Sequence, residues 1–193
     1  EILSRGPHIM KGYFNKPEAT AEAIDRDGWF HTGDIGHLDA DGFLVITDRK
    51  KDLIVLAGGK KAAPQPIENE LKQSQLISMP IVLGDRHKYL AALIVPNFDR
   101  LKELPEGQKH IGNWGKIDQD PAVRALYQRE IDAYNQGKPH HEQIRAFALL
   151  PADLTIEDGS MTPTLKVKRR IVENRYQQLI ESMYAAADKG VGG

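Results

Sequence analysis

Short apolar runs broken by tight turns fill the first 47 residues, and longer runs with helical spacing follow. Ile2-Leu3 and Ile9-Met10 flank Arg5-Gly6-Pro7, which predicts two short extended pieces around a turn. Pro17 suits an early helical position, and Ala19, Ala21 and Ala23 favour a helix running to Ile24. Asp27-Gly28 and Asp41-Gly42 are turn dipeptides, with extended pieces at Trp29 to Thr32, through Leu38, and at Phe43 to Ile46. A segment of this size is too small to bury a convincing core alone.

Five charged residues, Asp48-Arg49-Lys50-Lys51-Asp52, then meet the apolar run Leu53 to Ala57, which ends in Gly58-Gly59-Lys60-Lys61. The pattern reads as a junction between two structural units, or as an exposed loop before an edge strand. Beyond it, Pro64 to Glu68 opens a helix with Ile67 and Leu71 four apart. Ile77 to Leu83 and Tyr89 to Val95 predict an antiparallel pair around Gly84 to Lys88. Asn97 can cap a short helix through Leu104. Residues 105 to 117 read as loop, and Asp120-Pro121 opens a helix with Val123, Leu126, Tyr127, Ile131 and Tyr134 on one face. Ile144 to Leu150 predicts a third strand, Met161 to Leu165 an extended piece, and Val167 to about Ala186 one helix before a loose tail from Asp188. The fold class expected is α+β: a small, mostly antiparallel three-stranded sheet with packed helices, preceded by a short strand-rich piece.

Composition changes this picture little. The 193 residues are 40% hydrophobic and 27% charged, with a net charge of -1, so no basic footprint for nucleic acid is present. The absence of cysteine excludes a disulfide framework and thiolate metal sites, and fits a cytoplasmic, reducing compartment. No apolar run approaches the ~20 residues that span a bilayer. The opening Glu1-Ile2-Leu3-Ser4 reads as the interior of a longer polypeptide.

Three patches join glycine freedom to charge. Asp34 in Thr32-Gly33-Asp34 can accept hydrogen bonds from paired sugar hydroxyls, or simply cap its own turn. Arg49 offers a planar fork of donors, and Gly58-Gly59-Lys60 lets backbone amides approach an anion; the Walker spacing is absent. Lys166, in Met161 to Arg170, can reach a neighbouring site as a mobile positive charge, or belong to a solvated basic helix face. No histidine or carboxylate spacing suggests a metal site.

Taken in order, these pieces resemble the C-terminal part of the AMP-forming acyl-CoA synthetases, within the adenylate-forming superfamily. The resemblance rests on Gly12-Tyr13-Phe14-Asn15-Lys16-Pro17-Glu18-Ala19-Thr20, Gly28 to Gly36, Asp41-Gly42-Phe43-Leu44, Asp48 to Asp52, Gly58-Gly59-Lys60 with Pro64 to Glu68, and Pro163 to Arg170. The wording at Ala63 to Glu68 and Thr162 to Lys166 is most similar to the long-chain fatty acid branch.

The resemblance implies that a carboxylate attacks the α-phosphate of Mg-ATP, and that coenzyme A then displaces AMP. It assigns residues 1–47 to the last strands of a large N-terminal domain, 48–51 to a hinge centred on Lys51, and 52–193 to a mobile lid. Asp34 and Arg49 would bind the ribose of ATP or AMP. Gly58, Gly59 and Lys60 would line the coenzyme A side, and Lys166 would bridge carboxylate and α-phosphate during adenylation. No magnesium ligand is assigned. The partners implied are a fatty acid, ATP, coenzyme A and an N-terminal domain; long acyl substrates are compatible with peripheral membrane contact, although no amphipathic anchor is evident. The upstream phosphate loop and acyl tunnel are missing, so the chain alone is expected to be inactive. Two alternatives stay open: a ligase for an aryl or amino acid, and a stand-alone lid-like binding module.

Overall fold

The structure is a computed structural model that describes residues 1–190. It divides into two compact units, Glu1–Leu53 and the residues from Ile54 on.

In the first unit, β1 (Leu3–Ser4) pairs antiparallel with β2 (Phe30–His31). The helix α1 (Pro17–Ala23) lies between them in sequence, with Pro17 in its first turn, where the missing N–H costs nothing. β3 (Asp34–Leu38) and β4 (Leu44–Arg49) form an antiparallel hairpin with a bulge between Ile35 and Gly36. Ile9-Met10 lies outside any strand, because Gly6 to His8 turn the chain away after β1. Asp48 departs from the solvated run expected of it: it sits inside β4 and is 5% exposed, while Arg49 to Asp52 are exposed. Phe14, Leu38, Phe43, Leu44 and Ile46 are exposed, and among the described residues both buried hydrophobic clusters belong to the second unit. The first unit therefore has no core of its own, as its size predicts.

The second unit is α+β. A small hairpin, β5 (Ile54–Val55) with β6 (Lys61–Ala62), leads into α2 (Pro64–Leu71). β7 (Ile77–Leu83) and β8 (Leu90–Pro96) follow as an antiparallel pair. Asn97 caps α3 (Phe98–Glu103), its side chain accepting from the Arg100 amide. Next come α4 (Pro105–Gln108), a 3-10 turn at Trp114–Gln119, and α5 (Pro121–Asn135), which buries Val123, Tyr127, Ile131 and Tyr134. β9 (Ile144–Leu149) completes the sheet, and α6 (Arg169–Arg175) and α7 (Gln177–Gly190) close the chain.

The sheet order is β7-β8-β9, and every residue of β8 is buried. Side chains alternate across a strand, so Leu90, Ala92 and Ile94 join one core with α2 and α5. Ala91, Leu93 and Val95 join a second core with Val172, Met183 and Tyr184. A strand covered on both faces reads as a continuous apolar run, which is why β8 is so legible in the sequence. β9 runs parallel to β8, because the connection through α5 is a long crossover rather than a hairpin.

Three local expectations change. Residues 105 to 117 are not all loop, since Pro105 opens α4. Met161 to Leu165 is a turn closed by a Met161–Val167 bridge, with Leu165 at φ 58°. The single helix expected from Val167 is two, separated at Tyr176, where φ -104° and ψ 20° leave the helical region. The helix α7 extends through Asp188 to Gly190, and the rest of the tail expected to be loose lies outside the described residues. Among the described residues no helix is long and apolar enough to cross a membrane.

Candidate active site

The first patch is built at the open end of the β3–β4 hairpin, where Asp34 and Arg49 are direct cross-strand partners. Arg49 Nε lies 3.1 Å from Asp34 Oδ1. Gly33, at φ 73°, makes the turn into β3, and its carbonyl accepts from the Lys50 amide at 2.7 Å. Gly36 allows the two strands to approach: a Cβ there would stand 2.4 Å from the Val45 carbonyl oxygen. Thr32, Gly33, Arg49, Lys50 and Lys51 line an open concavity of about 330 Å³. Lys50 Nζ is bound to Glu1 Oε2 at 2.8 Å and, with His31, holds that carboxyl down at about 2. Lys51 makes no ion pair among the described residues. A carboxylate beside an exposed guanidinium suits a ligand with paired hydroxyls, the first accepting and the second donating.

The second patch, Gly58-Gly59-Lys60, forms the exposed tip of the β5–β6 hairpin. The Gly59 amide donates to the Leu56 carbonyl at 2.8 Å with Gly59 at φ 76°, a conformation that favours glycine. The Leu56 amide closes the hairpin on the Lys60 carbonyl at 2.9 Å.

The third patch is a turn of five residues from Thr162 to Lys166. The Thr162 amide donates to the Lys166 carbonyl at 2.8 Å, and the Lys166 amide donates to Thr162 Oγ1 at 3.0 Å. Lys166 is exposed and makes no ion pair among the described residues, so its ammonium is held on an ordered base with a free head. Two clamps hold that base. On one side Arg175 donates to Ser160 Oγ at 2.9 Å and to the Asp158 carboxylate. Burial pushes the Asp158 carboxyl up, but hydrogen bonds from Ser160, Arg175 and the Thr155 amide outweigh it and bring it to about 2. On the other side Arg169 donates to Glu68 Oε1 at 2.7 Å and to the Val82 carbonyl.

The structure thus pairs Asp34 with Arg49, sets Lys51 in the same concavity, and places the glycine tip and Lys166 on separate turns of the second unit. Glu68, Asp158, Ser160 and Arg175 carry no role in the sequence reading. Arg169 stands in a run of basic residues that sequence alone cannot rank. Among the described residues no three His, Asp or Glu side chains gather as a metal site.

A family model of the AMP-binding enzyme C-terminal domain matches residues 51–188. The chain belongs to that family. It is 41% identical over 186 residues to the long-chain-fatty-acid–CoA ligase FadD15 of Mycobacterium tuberculosis, covering 95% of this chain and 31% of the relative. It is 37% identical over 207 residues to the long-chain-fatty-acid–CoA ligase ACSBG2 of Gallus gallus, covering 97% of this chain and 27% of the relative. The chain thus spans about a third or less of the curated relatives it matches. Among solved structures, the A domain of carboxylic acid reductase from Segniliparus rugosus, in complex with AMP and a carboxylic acid, superposes with a TM-score of 0.72. That match is 29% identical and covers 92% of this chain and 27% of the other. This member of the AMP-binding enzyme C-terminal domain family has the α+β fold that its sequence predicts.

Proposed function

We propose that this chain is the C-terminal part of an AMP-forming long-chain fatty acid–CoA ligase. The observation that carries the substrate class is the 41% identity to a protein named as such a ligase, extending over almost the whole chain. Asp34 accepts from and Arg49 donates to the ribose hydroxyls of ATP or AMP. The free ammonium of Lys166 stabilises negative charge between the attacking carboxylate and the α-phosphate. One preorganised donor of this kind is typically worth about 10²–10³ in rate. The second unit turns about Lys51 between half-reactions and brings Gly58, Gly59 and Lys60 to the incoming coenzyme A, so one site serves two chemistries. Magnesium, arriving with ATP, supplies charge neutralisation, and no residue of this chain is assigned to it. The exposed apolar residues Phe14, Leu38, Phe43 and Ile46 pack on the preceding part of the same protein.

The test is product analysis on the protein extended upstream of Glu1, supplied with ATP, coenzyme A and a panel of carboxylates. Long-chain acyl-CoA and AMP in equal amounts support the reading. Activity confined to aryl or amino acids replaces the substrate class, and ADP in place of AMP removes the reading altogether. The 193-residue chain alone is expected to turn over none of them.

A further inference from the structure

The β5–β6 hairpin has only two residues in each strand, too few to hold its own tip in place. Its support comes from the turn between β7 and β8. The Ala57 amide donates to the His87 carbonyl at 2.8 Å, and the Arg86 amide donates to the Val55 carbonyl at 2.8 Å. The Val55 amide donates to Asp85 Oδ1 at 3.2 Å. The supporting turn is itself in need of support, since Arg86 sits at φ 63°, a region unfavourable for a residue with a Cβ. That support is aromatic. The His87 ring stacks on the Tyr184 ring of α7, with centroids 3.7 Å apart and planes 7° from parallel. Tyr184 is buried, and Tyr184 and Tyr89 exchange hydroxyl-to-carbonyl hydrogen bonds at 3.4 and 3.3 Å. A continuous chain of contacts therefore joins α7 to the glycine tip: Tyr184 to His87, His87 to Ala57, and Ala57 to Gly58-Gly59-Lys60.

The geometry points to His87 and Tyr184 as positioning residues for the Gly58-Gly59-Lys60 loop in the thioester-forming half-reaction. This rests on the reading of that loop as the coenzyme A side. Both act through the loop's backbone and are not part of it. His87 fixes the carbonyl that orients Ala57, and Tyr184 fixes the ring of His87. The helix α7 thereby sets the loop that the thiol substrate meets, although it lies more than a hundred residues away in sequence.

The experiment uses the full-length ligase with His87→Ala, Tyr184→Leu, His87→Phe and Gly59→Val. Acyl-adenylate formation and thioester formation from preformed acyl-adenylate are measured separately. His87→Ala and Tyr184→Leu are expected to raise KM for coenzyme A about threefold to tenfold, the equivalent of one aromatic stacking contact. They leave acyl-adenylate formation within about twofold, and His87→Phe, which keeps a stacking ring, restores the KM. Amide exchange at Ala57 and Gly59 accelerates in the first two variants, which tests the link even where turnover is low. If Gly59→Val impairs thioester formation while both aromatic variants match wild type, the positioning role is overturned and the loop reading stands. If Gly59→Val also has no effect, the loop reading falls. Equal loss in both half-reactions with no rescue by His87→Phe shows a merely structural role and overturns the inference.

Discussion

Glu68 and Arg169, 101 residues apart, meet at 2.7 Å, and the same Glu68 oxygen accepts from the Val82 amide at 2.8 Å. Arg169 in turn donates to the Val82 carbonyl, so helix α2, strand β7 and the start of α6 are tied at one point. Removing the Arg169 guanidinium leaves the partly buried Glu68 carboxylate without its counter-charge, bound only to the Val82 amide. Arg169→Ala is expected to cost about 1–3 kcal/mol, read as a lowered denaturation midpoint. Glu68→Gln keeps an acceptor for Val82 and is expected to cost less. Equal stability of both variants and wild type would show that the Glu68–Arg169 pair does not hold α2, β7 and α6 together.

The second clamp depends on pH. The Asp158 carboxyl lies at about 2, below its ordinary 3.8, so the folded state holds fewer protons than the unfolded chain between these values. Its contribution is complete above about pH 4 and is lost as pH falls toward 2. NMR titration should find the Asp158 midpoint near 2 in wild type and closer to 3.8 in Arg175→Gln. An unchanged midpoint would show that Arg175 does not hold the carboxylate.

Leu165 occupies the left-handed region at φ 58° and is exposed, so its side chain strains the turn beside Lys166. Leu165→Gly relieves that strain, offset in part by the freedom glycine adds to the unfolded chain, and is expected to stabilise by up to about 1 kcal/mol. Leu165→Ile should destabilise, because a β-branched side chain tolerates this backbone least. Thermal denaturation of both variants checks the order.

Gly36 carries a different constraint. A Cβ would collide with the Val45 backbone at 2.4 Å, which cannot rotate away. Gly36→Ala is expected to part β3 from β4 and separate Asp34 from Arg49, weakening AMP binding by the full-length protein at least about tenfold, or ~1.4 kcal/mol. Calorimetric titration reads the loss; unchanged affinity would dissociate the hairpin from nucleotide binding.

How much of this was legible follows from what each signal depends on. β8 and α5 were readable because burial writes a period into the sequence, continuous in Leu90 to Val95 and four-spaced in Val123, Tyr127 and Ile131. Asp34 and Arg49 were singled out by residue type, but their 3.1 Å contact needed the β3–β4 register. The break at Tyr176 was invisible because Val167 to Ala186 holds neither glycine nor proline. The pairs Glu68–Arg169 and His87–Tyr184 are about a hundred residues apart, and no local pattern announces a partner at that distance. Asp48 misled because a charged run hides the one member that β4 buries.

Lys166 is proposed to serve adenylation through its free ammonium. The direct measurement compares the full-length protein with its Lys166→Ala variant in two assays, acyl-adenylate formation and thioester formation from preformed acyl-adenylate. A fall of about 10²–10³ in the first and little change in the second is expected. If both steps survive the substitution, Lys166 is part of a solvated basic surface and its assigned role is wrong.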